Sequence, residues 1–167
     1  MKPLCVLTLL VLVFGCSQEL QQSKSEGNLS VAREFLALAS SDRGLEASKM
    51  AHEDFEFRWM GFLQNSEGDL ELSLNFDKKS YFEEFWQLVD ESLPDGWQYK
   101  EIDGFGGDEG ATLLVEGQAQ EKNGEYNNHY AYVFKISKGK ITSLKEYSSD
   151  LLVALRVYDY KLVEAND

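Results

Sequence analysis

Arg58, Glu116, His129, Glu146 and Asp150 sit on stretches of alternating or turn-like character, where a side chain can be aimed at a ligand. Asp150, Glu116 or His129 could serve as a general base, which must lie within about 3 Å of the proton it takes. Arg58 or Tyr130 would then orient the substrate. The planar guanidinium of Arg58 also suits a carboxylate, from a ligand or from Glu116 or Asp150. Each residue has a plainer reading. Arg58 shares a strand face with Met60 and Phe62 and meets a ligand only if that face turns inward. Glu116 shares its face with Thr112, Gln118 and Gln120, a solvated pattern. His129 alternates against Tyr130, Tyr132, Phe134 and Ile136 and so points away from that aromatic row. Glu146 and Asp150 read as the structural end of a strand. Two histidines and two cysteines give no metal-ligand cluster, and no cofactor is expected.

The elements that must position these groups follow from periodicity. "NLSVAREFLALASSD" reads as a helix capped at Asn28 or Ser30, with Phe35, Leu38 and Ala39 at helical spacing. "RGLEASKMAHED" is a second, shorter helix. "FEFRWMGF" has strand period, with Phe55, Phe57 and Trp59 alternating against Glu56, Arg58 and Met60. "DLELSLNF" alternates too. "SYFEEFWQLVDESL" is the strongest helix, with a Ser80–Glu83 capping box and an apolar stripe of Phe82, Phe85, Trp86, Val89 and Leu93. Pro94 and Gly96 end it. "WQYKEI", "ATLLVEGQAQ", "YNNHYAYVFKI" and "KITSLKEYS" read as strands, with turn signals at Asn123-Gly124 and Lys138-Gly139. Asp150 caps "LLVALRVYD", a short helix or a last strand. The order predicts an α+β fold: a curved antiparallel sheet with about three N-terminal or inserted helices packed on its concave face.

The chain opens "MKPLCVLTLLVLVFGCSQ". Its apolar run from Leu4 to Phe14 is shorter than the roughly 20 residues that span a hydrocarbon core. It fits a secretory signal over residues 1–15. Gly15-Cys16 at its end resembles the bacterial lipobox, which implies a lipid on Cys16. Ser17 implies transit to the outer membrane, facing the periplasm. Polar residues 17–27 read as a flexible tether, 28–160 as one domain and 161–167 as a polar tail. The other cysteine, Cys5, lies inside the signal, so no disulfide is expected. The net charge of −13 disfavours nucleic acid, whose binding is dominated by phosphate neutralisation.

The "NNHYAYVFKISKGKITSLKEYSSD" segment and the "MAHEDFEF" junction resemble the SnoaL-like, nuclear-transport-factor-2-like superfamily over residues 28–157. The resemblance implies a cone-shaped α+β barrel, a pocket inside the cone and a homodimer through the sheet. It does not choose a reaction. Ketosteroid isomerases of this fold use a Tyr, an Asp base and a protonated Asp. Their positions fall near Glu34 or Phe35, near Phe57 or Arg58, and near Ala131, and none matches. The Arg-x-Asp pair of the epoxide hydrolases is missing after Arg33, Arg43, Arg58 and Arg156. The paired histidines of the dehydratases are not evident in His52 and His129. Relatives often end Glu-Tyr-x-Asp, whereas here Ser149 takes that place and Asp150 comes one residue late. Trp59, Tyr130 and Tyr147 are expected to join Arg58 in lining the pocket, Tyr147 because Ile141, Ser143 and Lys145 share its face. The leading expectation is a membrane-anchored domain that binds a small apolar or carboxylate-bearing molecule without catalysis. An acid–base enzyme of isomerase, dehydratase or hydrolase type and a structural envelope protein are the alternatives.

Overall fold

The computed structural model describes residues 4–60 and 74–164, with side chains from residue 21 onward. The first helix, α1, runs Leu4–Ala39. Ala32, Phe35, Leu36 and Ala39, spaced for one face, are all almost fully buried. The helix continues back through residues 17–27, where composition alone suggests a flexible tether. That polar run meets no proline, and its last turns reach the sheet. Gln21 Nε2 donates to Asp108 at 3.1 Å, and Asn28 Nδ2 donates to the Gly107 carbonyl at 2.7 Å. The approach needs a glycine: a Cβ at position 106 would lie 2.1 Å from the Ser25 carbonyl oxygen.

A short helix, α2 (Gly44–Met50), leads directly into β1 (Ala51–Trp59). The expected second helix therefore stops early, and His52, Glu53 and Asp54 belong to the strand. Sheet pairing of Ala51 with Ile141 competes successfully with helix at that point. Of "DLELSLNF", residues 69–73 lie outside the described residues, and β2 is Asn75–Asp77. A continuous helical run follows, made of α3 (Lys78–Ser80), a π-type turn (Tyr81–Phe85) and α4 (Trp86–Ser92). Its cap is Asp77, whose side chain accepts from the Ser80 amide at 2.8 Å, rather than a box built on Ser80.

The remaining strands are β3 (Trp97–Gly107), β4 (Gly110–Glu121), β5 (Gly124–Glu125), β6 (Asn128–Ser137) and β7 (Lys140–Tyr147). They curl into one sheet in the order β2-β1-β7-β6-β4-β3, with β5 on the end of β4. Every pairing is antiparallel except β1 with β7, so the sheet is mixed. The tight turn between β6 and β7 has positive φ at both Lys138 (52°) and Gly139 (74°), the twist that two-residue hairpins favour. A last short helix, α5 (Asp150–Leu152), runs into a π-type turn over Val153–Val157. Ser149 caps it, accepting from the Leu152 amide at 3.4 Å, so Asp150 is the first helical residue instead of the cap.

The helices cover the concave face. Phe55 and Phe57 of β1, Leu113 and Val115 of β4, Phe134 of β6 and Leu144 of β7 point into that space and are fully buried. Phe35 and Tyr81 meet them from the helical side, with ring centroids 5.9 Å and 5.3 Å from Phe55.

Candidate functional site

Beside this packed centre lies a cavity of about 250 Å³ between the helices and the sheet. Its helical wall is Tyr81, Phe85, Trp86 and Val89, with Leu36 from α1. Its sheet wall is Trp59, Trp97, Tyr130, Tyr132 and Glu146. Tyr126, Val153 and Tyr158 close one side. The strand alternation explains the sheet wall. Tyr130, Tyr132, Phe134 and Ile136 all point inward from β6, which leaves His129 on the other face. Gly117 of β4 makes room for the rings: a Cβ there would sit 2.3 Å from Trp97 Nε1 and 2.6 Å from a Tyr130 ring carbon. Tyr130 and Tyr132 stack at 5.6 Å, and Trp97 meets Tyr130 edge-on at 5.7 Å.

Glu146 is the one carboxylic acid among the described residues of the lining. It is only 8% exposed. Burial pushes its carboxyl up to about 8, and the Ser148 and Tyr132 hydroxyls, which hydrogen-bond to it, only partly offset that rise. Ser148 is itself held by the Trp59 indole, which donates to its hydroxyl at 3.1 Å. Burial likewise raises the Tyr81, Tyr130 and Tyr132 phenols, with the nearby Glu146 adding to each, so all three stay protonated at neutral pH. Asn128, also buried, donates to the Tyr126 hydroxyl at 3.2 Å and accepts from the Ser149 amide at 3.2 Å. The Trp86 and Trp97 indole N–H groups are buried without a hydrogen-bond partner.

The arrangement is an apolar, aromatic chamber with one protonated carboxylic acid in its wall. It can enclose a small molecule and present it with a proton donor or, above neutral pH, a base. Among the described residues, no Lys, Arg or His lines it.

The residues singled out from sequence divide between the two faces of the sheet. Trp59 and Tyr130 line the cavity. Arg58 points outward and is half exposed, paired with Glu56 on its own strand at 3.0 Å. Phe55, Phe57 and Trp59 take the inward phase of β1, so Arg58 cannot. Glu116 and His129 are direct cross-strand partners on the outer face, 3.4 Å apart. Asp150 opens α5 outside the cavity lining.

Tyr147 and Glu146 are exchanged relative to the expected phase. Lys135 pairs with Ser143, but the next residue, Ile136, pairs with Ile141, so β7 carries one extra residue at Thr142. This bulge reverses the alternation. Ile141 points inward before it, and Leu144 and Glu146 point inward after it. Tyr147 is left outside, 44% exposed. Strict alternation from Ile141 therefore selects the wrong neighbour. The inward phase of Glu146 was signalled only by Leu144, two residues earlier.

No family model matches the chain, and no curated protein is significantly similar to it in sequence. Solved structures do match. A phenazine biosynthesis-related protein from Pseudomonas aeruginosa aligns at 15% identity with a TM-score of 0.63, covering 87% of this chain and 93% of that one. Bal32a, from a soil-derived mobile gene cassette, aligns at 14% identity and 0.64, covering 81% and 98%. An NTF2-like protein from Burkholderia xenovorans LB400 aligns at 14% identity and 0.59, covering 79% and 96%. At such identities the likeness is one of fold, and it extends over nearly the whole length of each relative. Together with the curled sheet, its strand order and the helices on its concave face, it shows that this chain has the cone-shaped α+β fold of the NTF2-like structures.

Proposed function

We propose that this domain is a receptor for a small organic molecule, held in the cone cavity with Glu146 as its polar anchor. The observation that carries this reading is the cavity itself: about 250 Å³, walled by aromatic rings, with one buried carboxyl in its lining. Such sites hold ligands by apolar contact and fix their orientation with few polar groups. Among the described residues of the lining a ligand carboxylate finds no cation, so they lend the carboxylate-bearing alternative no support. The chain has three tryptophans, and Trp59, Trp86 and Trp97 all line the cavity. Intrinsic fluorescence therefore reports on this site directly. Titration with a panel of small aromatic and aliphatic compounds is expected to give a saturable change for at least one. A flat response to every compound would refute the receptor reading.

A second reading rests on the ionisation of Glu146. A carboxyl held near 8 is tuned for proton transfer at physiological pH. If it acts as a general acid or base, Glu146→Gln abolishes turnover of small carbonyl substrates in a protein that still folds. Equal turnover in the two proteins would remove this reading.

We further propose that the domain is tied to a membrane through lipid on Cys16, at the periplasmic face of the outer membrane. The support is the apolar run ending at Gly15-Cys16, followed by Ser17. Among the described residues, no helix is long and apolar enough to cross a membrane. More than one acyl chain, at about 0.8 kcal/mol per buried methylene, makes such an anchor stable. Mass spectrometry of the processed protein is expected to find acylated Cys16 at the N-terminus, and Cys16→Ser to release it from the membrane fraction. An unmodified N-terminus at another residue would overturn this assignment.

A further inference from the structure

We propose that the cavity selects a small organic cation, a protonated amine or a quaternary ammonium, seated on aromatic ring faces with the Glu146 carboxylate as its counter-charge. The inference rests on the small-molecule reading above and adds the charge of the ligand. Three observations point to it.

The first is the lining. Trp59, Trp86, Trp97, Tyr81, Tyr130 and Tyr132 bring ring surfaces to one small space. A cation within about 6 Å of such a ring is attracted by its quadrupole, most strongly by tryptophan, and more strongly still when water is excluded.

The second is charge. Among the described residues of the lining, Glu146 is the only carboxylic acid, and no basic side chain accompanies it. An anionic ligand would thus meet a buried acid with nothing to neutralise it. The chain as a whole carries −13, a field that draws cations and repels anions.

The third is the state of the carboxyl. It is buried against apolar walls, with the Tyr132 and Ser148 hydroxyls hydrogen-bonded to it. Both hydroxyls favour its ionised form, so the wall already holds part of the solvation that a carboxylate needs. A cation entering the chamber supplies the rest as an ion pair. A wholly apolar ligand would instead leave the carboxylate without a counter-charge in a buried site, which is unfavourable.

The test uses two probes of nearly the same shape. Choline and 3,3-dimethylbutan-1-ol differ in that a positively charged nitrogen replaces a carbon. Tryptophan fluorescence of the purified protein is titrated with each at constant ionic strength. Choline is expected to bind about tenfold tighter or more, the factor that about 1.4 kcal/mol of cation-specific attraction gives. In Glu146→Gln the ratio of the choline affinity to the alcohol affinity is expected to fall severalfold. Equal affinities, or a preference for the alcohol, overturn the cation inference and leave the small-molecule reading standing. So does failure of both probes when neutral aromatic compounds bind. Failure of every compound overturns both. An unchanged preference in a folded Glu146→Gln protein removes Glu146 as the counter-charge.

Discussion

Glu146→Gln is expected to stabilise the protein at pH 7, and the gain is expected to grow between pH 5 and pH 8. In the folded chain the Glu146 carboxyl is pushed up to about 8, against an ordinary value of 4.5. Between those two values the folded state holds a proton that the unfolded state has released. Unfolding then releases a proton, so stability falls as pH rises through this window. The slope is about 1.4 kcal/mol per pH unit, and the whole interval is worth up to about 5 kcal/mol. The contribution is fully present below the unfolded value and is lost progressively toward the folded one. This is the reverse of a carboxylate held by a salt bridge. Glutamine has nearly the same shape as the protonated acid and still offers an acceptor to Tyr132 and Ser148, but it cannot ionise. Urea unfolding of both proteins at pH 5, 6, 7 and 8 isolates the effect, because every other titrating group cancels in the difference. Parallel curves for the two proteins would show that Glu146 is not a buried acid.

How far the sequence reveals this site depends on how local each signal is. The aromatic row of β6 was legible because Tyr130, Tyr132, Phe134 and Ile136 keep strict alternation, and the structure buries all four. The β6–β7 hairpin was legible from Lys138-Gly139, where two positive φ angles are required. Trp59 followed from the period of β1. The Glu146 site was hidden by a single extra residue in β7, since alternation counted from Ile141 puts Tyr147 inward and Glu146 outward. Nothing in "KITSLKEY" marks that bulge, which arises from how β7 pairs with β6 on one side and β1 on the other. Arg58 was misplaced for a related reason. Its face was left open in the sequence, and only the burial of Phe55 and Phe57 against the helices decides it. The parallel pairing of β1 with β7 was equally out of reach, because it joins residues some ninety positions apart.

Phe35→Ala is expected to cost about 3–5 kcal/mol, the range for truncating a large aromatic in a core that cannot collapse. Phe35 is fully buried. Its ring lies 5.9 Å from Phe55, 6.3 Å from Tyr81, 6.1 Å from Phe82 and 6.1 Å from Phe134. Those partners belong to β1, the inserted helical run and β6, so this one side chain joins α1 to three other elements. Loss of the ring leaves a void whose walls are fixed by the sheet on one side and by the Tyr81–Phe85 stack on the other, at 5.2 Å. Relaxation into it would pull Tyr81 away from the cavity, which Tyr81 also lines. The substitution should therefore lower the denaturation midpoint and weaken ligand binding together, although residue 35 touches no ligand. Phe35→Leu keeps much of the volume and is expected to recover most of both. Chemical denaturation followed by the three cavity tryptophans measures the two effects in one experiment. A Phe35→Ala unfolding free energy within about 1 kcal/mol of the parent would mean that α1 is not anchored through this ring.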